Sequence, residues 1–135
     1  MRTLIKNIVA MSAMFLLLSA VQINKKIGDW KAPPDADKLS NPLKGNTAAT
    51  ASGKKLYTQF CVVCHGDKGK GDGIAGISLN PRPANHSSLK VQSQTDGAIF
   101  WKITTGRPPM ASYTKSLTET QRWQLVNYIR ELAKK

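Results

Sequence analysis

The chain has 135 residues, 20 Lys and Arg against 8 Asp and Glu for a formal charge of +12, and 41% hydrophobic side chains. That length suits one small domain and gives no support to a multidomain enzyme. The two cysteines lie three positions apart, so no disulfide can staple a long loop.

Residues 1–20 read as a secretion signal, with Arg2 and Lys6 ahead of an apolar run from Ile8 to Leu18. Ala20 suits the residue before a cut, but Leu18, two positions earlier, is not small, so an uncleaved membrane anchor is the alternative. The apolar stretch ends at Ile23, short of the ~20 residues that span a bilayer comfortably. Either way the protein is expected to be exported, periplasmic or tethered to a membrane, and that compartment argues against nucleic acid as the partner of its positive charge.

Residues 21–47 contain Pro33, Pro34 and Pro42, mixed charges and neither hydrophobic period, which reads as an arm or linker: a tether, or a segment laid on the domain. Trp30 is its one large apolar anchor. Lys25, Lys26 and Lys31 beside the apolar run could also meet anionic lipid headgroups.

The folded unit is expected over 48–135. A first helix begins at Thr50 or Ser52 and runs to Cys64, with Leu56, Tyr57 and Phe60 at helical spacing. A second covers about 95–105, where Ile99, Trp101 and Ile103 are apolar and Gly106 supplies a stop. A third covers about 118–133, with Thr118 and Gln121 spaced as a cap and Trp123, Val126, Ile129 and Leu132 as an apolar stripe. No alternating strand pattern appears, so the fold class is all-α with long loops. So small a core usually needs help from a staple or a bound group.

Cys61-Val62-Val63-Cys64-His65 has the C-x-x-C-H spacing of c-type haem attachment. At a helix end, residues i and i+3 share a face, so two thiols can reach the two vinyl groups of one porphyrin and the following His can turn to the iron. A zinc site would need two further Cys or His ligands, and only His86 remains. A thiol redox motif would need a β-α-β context, and a free thiol pair would not stay unmodified in an oxidising compartment.

Met110 is the only Met outside the signal. It follows Gly106-Arg107-Pro108-Pro109, whose prolines stiffen an extended loop able to hold a thioether against iron. Its other reading is a gap-filling hydrophobe. His86 is the rival sixth ligand, but Asn85-His86-Ser87-Ser88 is polar, so the ring is expected in solvent. A His/Met pair raises the potential and closes both axial sites, which favours electron transfer over oxygen or peroxide chemistry. Trp101 and Tyr113 are candidates to line the haem pocket or to donate to a propionate, with ordinary packing as the alternative. Gly71-Asp72-Gly73-Ile74-Ala75-Gly76 fits G-x-G-x-x-G but follows a helix rather than a strand, so it is read as a flexible turn and not a nucleotide site.

Over about 50–133 the sequence resembles the class I mono-haem cytochrome c family of bacteria. Gly53, Tyr57 and Cys61 match the family's N-terminal helix, and Leu125 and Tyr128 match its C-terminal helix. The resemblance implies the small cytochrome c fold, helices and loops wrapped around one covalent haem c, with the two helices crossing at Gly53. It also implies that the Pro81 carbonyl, in Pro81-Arg82-Pro83, accepts the second ring N–H of His65. The family often has Pro after the axial Met, whereas here Ala111 follows.

In the family's layout Lys54, Lys55, Lys68, Lys70, Lys102, Arg107 and Lys115 fall near the haem, where they would attract redox partners with acidic docking surfaces. Residues 48–135 carry 13 basic and 5 acidic side chains. The expected function is one-electron transfer in an exported respiratory-type chain, without enzymatic activity. The alternatives are a haem subunit tethered to a larger membrane respiratory or dehydrogenase complex, and, less favoured, a peroxidase or gas sensor.

Overall fold

The computed structural model describes residues 29–134; the expected signal or anchor lies outside them. Among the described residues there are six α-helices and no strand: α1 (Pro34–Asp37), α2 (Thr47–Phe60), α3 (Val62–His65), α4 (Leu89–Gln92), α5 (Asp96–Thr105) and α6 (Glu119–Glu131), which ends in a 3-10 turn, Leu132–Lys134. No helix among them is long and apolar enough to cross a membrane. The fold is all-α, as the hydrophobic periods require.

The frame is the crossing of α2 on α6. Ala49, Gly53 and Tyr57 recur every four residues and form the buried face of α2. At Gly53 the backbones are so close that a β-carbon would collide with the Gln124 carbonyl and press on Tyr128. Glycine costs helix stability in itself, and here close approach of the two helices offsets that cost. On α6, Leu125, Val126, Tyr128 and Ile129 are buried, and the Tyr57 and Tyr128 rings meet edge to face at 5.1 Å.

Each long helix starts where its cap dictates. Thr118 and Gln121 form a reciprocal capping box at α6, and the Thr95 hydroxyl accepts from the Ala98 N–H at α5. α2 begins earlier than expected, at Thr47, because the Asn46 side chain accepts from the Ala49 N–H at 2.9 Å. It also stops at Phe60 instead of running to Cys64. Cys61, at φ −116°, interrupts the helix, and its carbonyl accepts from both Cys64 and His65 at 3.1 and 2.8 Å.

α5 buries Ile99, Phe100 and Ile103, with Phe100 stacked on Trp123 of α6 at 3.9 Å. Residues 29–46 lie along this helical body. Ala36 of α1 is buried where Gly97 lets its carbonyl touch the α5 backbone, and Leu43 packs on the core. Asn41 donates to Asp96 (2.9 Å) and to Asn127 (2.8 Å), and Asn127 donates to the Leu43 carbonyl (2.6 Å). Arg130 closes this network through Asp96 at 2.7 Å and the carbonyls of Gln92 and Gln94.

Candidate haem site

Cys61 caps the start of α3, which carries Cys64 and His65, so the three lie on one turn, and a glycine-rich wrap follows. A helix leaves its last carbonyls without intrahelical partners. Gly66 N–H closes the helix on Val62, and the wrap satisfies the rest: Ala75 N–H donates to Val63, Gly73 to Cys64 and Gly71 to His65, at 2.8–3.2 Å. Any β-carbon at Gly73 or Gly76 would strike the α3 backbone. The stretch 66–76 is therefore a bonded collar around the Cys-x-x-Cys-His turn and not the free turn expected from its composition.

His65 is buried, and its Nδ1 lies 3.0 Å from the Ala84 carbonyl. The acceptor is Ala84, three residues beyond the expected Pro81. The reason lies in how the segment docks. Gly71 admits the Pro83 carbonyl against the collar, and the His86 N–H donates to the Gly69 carbonyl at 2.6 Å, which turns the Ala84 carbonyl toward the ring. Burial, only partly opposed by the Ala84 bond, holds the His65 pKa below the ordinary imidazole value. With the proton on Nδ1 fixed by a carbonyl, Nε2 keeps its lone pair, as a metal-ligating His requires.

His86 is not in solvent. Its ring stacks on His65 at 4.0 Å between centroids and 17° between planes, and its Nδ1 lies 3.3 Å from the Tyr57 hydroxyl. The Tyr57 hydroxyl also donates to the Gly66 carbonyl at 3.2 Å. Burial, then the neighbouring His65, push the His86 pKa well down. Two imidazoles on opposite sides of one metal meet it through nitrogens about 2 Å away on each side, with their rings pointing apart. Parallel stacking is a different geometry, so the two rings are not arranged as a pair of opposed ligands.

Cys61 and Cys64 are both half-buried, unbridged thiols, and burial first, then the neighbouring Cys64, push the Cys61 thiol up to about 12. Two free thiols three residues apart, followed by a neutral His with one nitrogen available, form a donor set that fits covalent haem. No group of three or more His, Cys, Asp or Glu able to hold a metal ion alone occurs among the described residues.

Met110 lies half-buried at the end of a tight turn in which Arg107 and Met110 exchange backbone hydrogen bonds at 2.9 and 3.0 Å. The chain beyond it folds back on α5: Ser112 and Thr114 hydroxyls donate to the Thr104 carbonyl, and the Tyr113 N–H donates to Ile103. The Tyr113 hydroxyl donates to the Phe60 carbonyl at 3.0 Å, tying the Met110 loop to the residue before Cys61. That donation uses its one proton, so in this structure Tyr113 straps the loop. Trp101 meets Trp30 of the arm at 6.1 Å. Lys102 and Arg107, expected in a docking ring, lie over the Trp30 ring at 5.6 and 5.0 Å. Lys54, Lys55, Lys68, Lys70 and Lys115 are exposed.

Sequence reasoning missed Ala84, the stack of His86 and the strap of Tyr113. Only the aromatic and ring types of the last two were visible, because each contact joins segments far apart in the chain.

An all-α domain built on two crossing helices, with two thiols and a neutral imidazole presented on one turn, defines a covalent haem protein. The Cytochrome c family model matches residues 50–133, and the chain belongs to that family. It therefore carries covalently bound haem c, and domains of this family are typically exported. No curated protein matches the chain. Among solved structures it is similar to a chain of the reducing HAO-like protein complex of Kuenenia stuttgartiensis, with 27% identity and a TM-score of 0.61. That match covers 70% of this chain and 49% of the other, so this chain spans about half the length of that relative.

Proposed function

We propose that the protein is an exported one-electron carrier, with haem held by thioethers from Cys61 and Cys64 and with His65 and Met110 as axial ligands. The haem supplies a ferric/ferrous couple. The chain supplies the rest: the collar fixes α3, the Ala84 carbonyl orients His65, and the Tyr113 strap holds the Met110 loop beside the cysteines. That strap carries the reading, because it links the lone exported Met to the attachment turn across 53 residues. Two protein ligands leave no open position for substrate, which fits a carrier and not an enzyme.

The exposed side chains of Lys54, Lys55, Lys68, Lys70 and Lys115 suit partners with acidic faces. Periplasmic residence, with or without a membrane tether, rests on the N-terminal sequence. A second reading is a subunit role, favoured by the likeness to a chain that belongs to a complex. Carbon monoxide added to the ferrous protein tests the proposal: slow or absent binding agrees with closed ligation, and rapid binding at low concentration would move the protein to the gas-sensing or peroxidase class. A freely soluble monomer on purification agrees with the carrier, and co-purification with membrane proteins with the subunit.

A further inference from the structure

His65 is gripped twice by one segment. The Ala84 carbonyl takes its ring edge at 3.0 Å, and the His86 ring covers its face at 4.0 Å. An edge hydrogen bond alone leaves a ring free to rock about that bond, whereas a second plane laid against its face removes that freedom. His86 is itself located from three sides. Its N–H donates to Gly69, its Nδ1 meets the Tyr57 hydroxyl, and its ring meets the Tyr57 ring edge-on at 5.8 Å. Tyr57 in turn packs on Tyr128 across the α2–α6 crossing. Because the Tyr57 hydroxyl donates to the Gly66 carbonyl, the Nδ1–H of His86 is left to donate to the Tyr57 oxygen.

We propose that His86 is a positioning residue for the axial ligand: its ring sets the plane of His65 and keeps water from that side of the haem iron. This rests on His65 being the ligand, as proposed above. Two consequences follow. The orientation of an axial imidazole decides how unpaired spin spreads over the haem of the ferric form, and exclusion of water disfavours the more highly charged ferric state and so raises the potential.

The test compares wild type with His86→Ala, His86→Phe and His86→Leu as ferric cyanide adducts. Cyanide fills the sixth position whatever its natural occupant, so the order and spread of the four haem methyl proton resonances read the His65 plane alone. The potential is measured on the cyanide-free proteins. The Ala and Leu variants should change the methyl pattern, and Ala should lower the potential. The Phe variant, which keeps a flat face but loses the Tyr57 bond, should keep the wild-type methyl order. A wild-type methyl pattern and potential in Ala, or a wild-type methyl pattern in Leu where Ala does not fold, would overturn the proposal and leave His86 as packing. Failure of the Met110 assignment shows separately, as a wild type that lacks Met-to-iron absorption yet forms the cyanide adduct normally.

Discussion

At the scale of single residues, the site is an exercise in satisfying a helix end. The carbonyls of Val63, Cys64 and His65 at the end of the Cys-x-x-Cys-His turn would be orphaned, and the collar meets each with a backbone N–H. Side chains at Gly73 and Gly76 would block that approach, so the collar is glycine-rich for packing and not for motion. Of the residues that carry the chemistry, Cys61, Cys64 and His65 were legible because their spacing is local and the chemistry demands it. The acceptor for His65 was not, since a backbone carbonyl has no sequence signature and its direction depends on where the collar docks. The place of His86 is hidden for the same reason: its neighbours in sequence are polar, but its neighbours in space are Tyr57 and His65. If both thiols form thioethers, Cys61→Ser and Cys64→Ser should each retain haem through one bond. The unreacted vinyl should then move the ferrous absorption to longer wavelength, measured as the alkaline pyridine adduct. A spectrum identical to wild type in either variant would remove that cysteine from the attachment.

At the scale of elements, the caps and apolar stripes placed all three long helices, and Thr118 with Gln121 closes the box their spacing implied. The short elements escaped. α1 and α4 are single turns whose buried faces hold one residue each, Ala36 and Val91, too little to leave a period. The central contact is the α2–α6 crossing. Replacing Gly53 by Ala improves helix propensity by roughly 1 kcal/mol. It also drives a methyl into the Gln124 carbonyl, and overpacking of this kind costs about 1–3 kcal/mol. Backbone cannot move aside as a flexible side chain would, so the clash should win. Chemical denaturation of Gly53→Ala should show a net loss of stability, and an unchanged or raised midpoint would mean that the crossing is looser than described.

At the scale of the whole molecule, residues 29–46 extend the domain across α5 and α6, which neither hydrophobic period in that segment foretold. Its grip is polar and specific. Asn127 accepts from Asn41 and donates to the Leu43 carbonyl, so Asn127→Ala strips a partner from each. The Leu43 carbonyl keeps the Asn46 N–H and Asn41 keeps Asp96, so the loss is that of two part-buried hydrogen bonds, about 1–2 kcal/mol, with faster proteolysis between residues 29 and 46. No change in cleavage would mean that Trp30 and Ala36 hold the arm without the network. Charge also acts at this scale. Lys68→Glu together with Lys70→Glu should slow electron transfer to an acidic partner protein at low salt, and the difference from wild type should vanish at high salt. Equal rates at low salt would place docking on another face.

The central claim is His65 and Met110 ligation of one covalent haem. The most direct measurement is the far-red absorption of the ferric protein beside a Met110→Ala variant, where sulfur-to-iron charge transfer gives a weak band. The account predicts that band in the wild type and its loss in the variant, with the Cys-linked haem retained in both. A wild type without the band, or a variant that keeps it, would contradict the account.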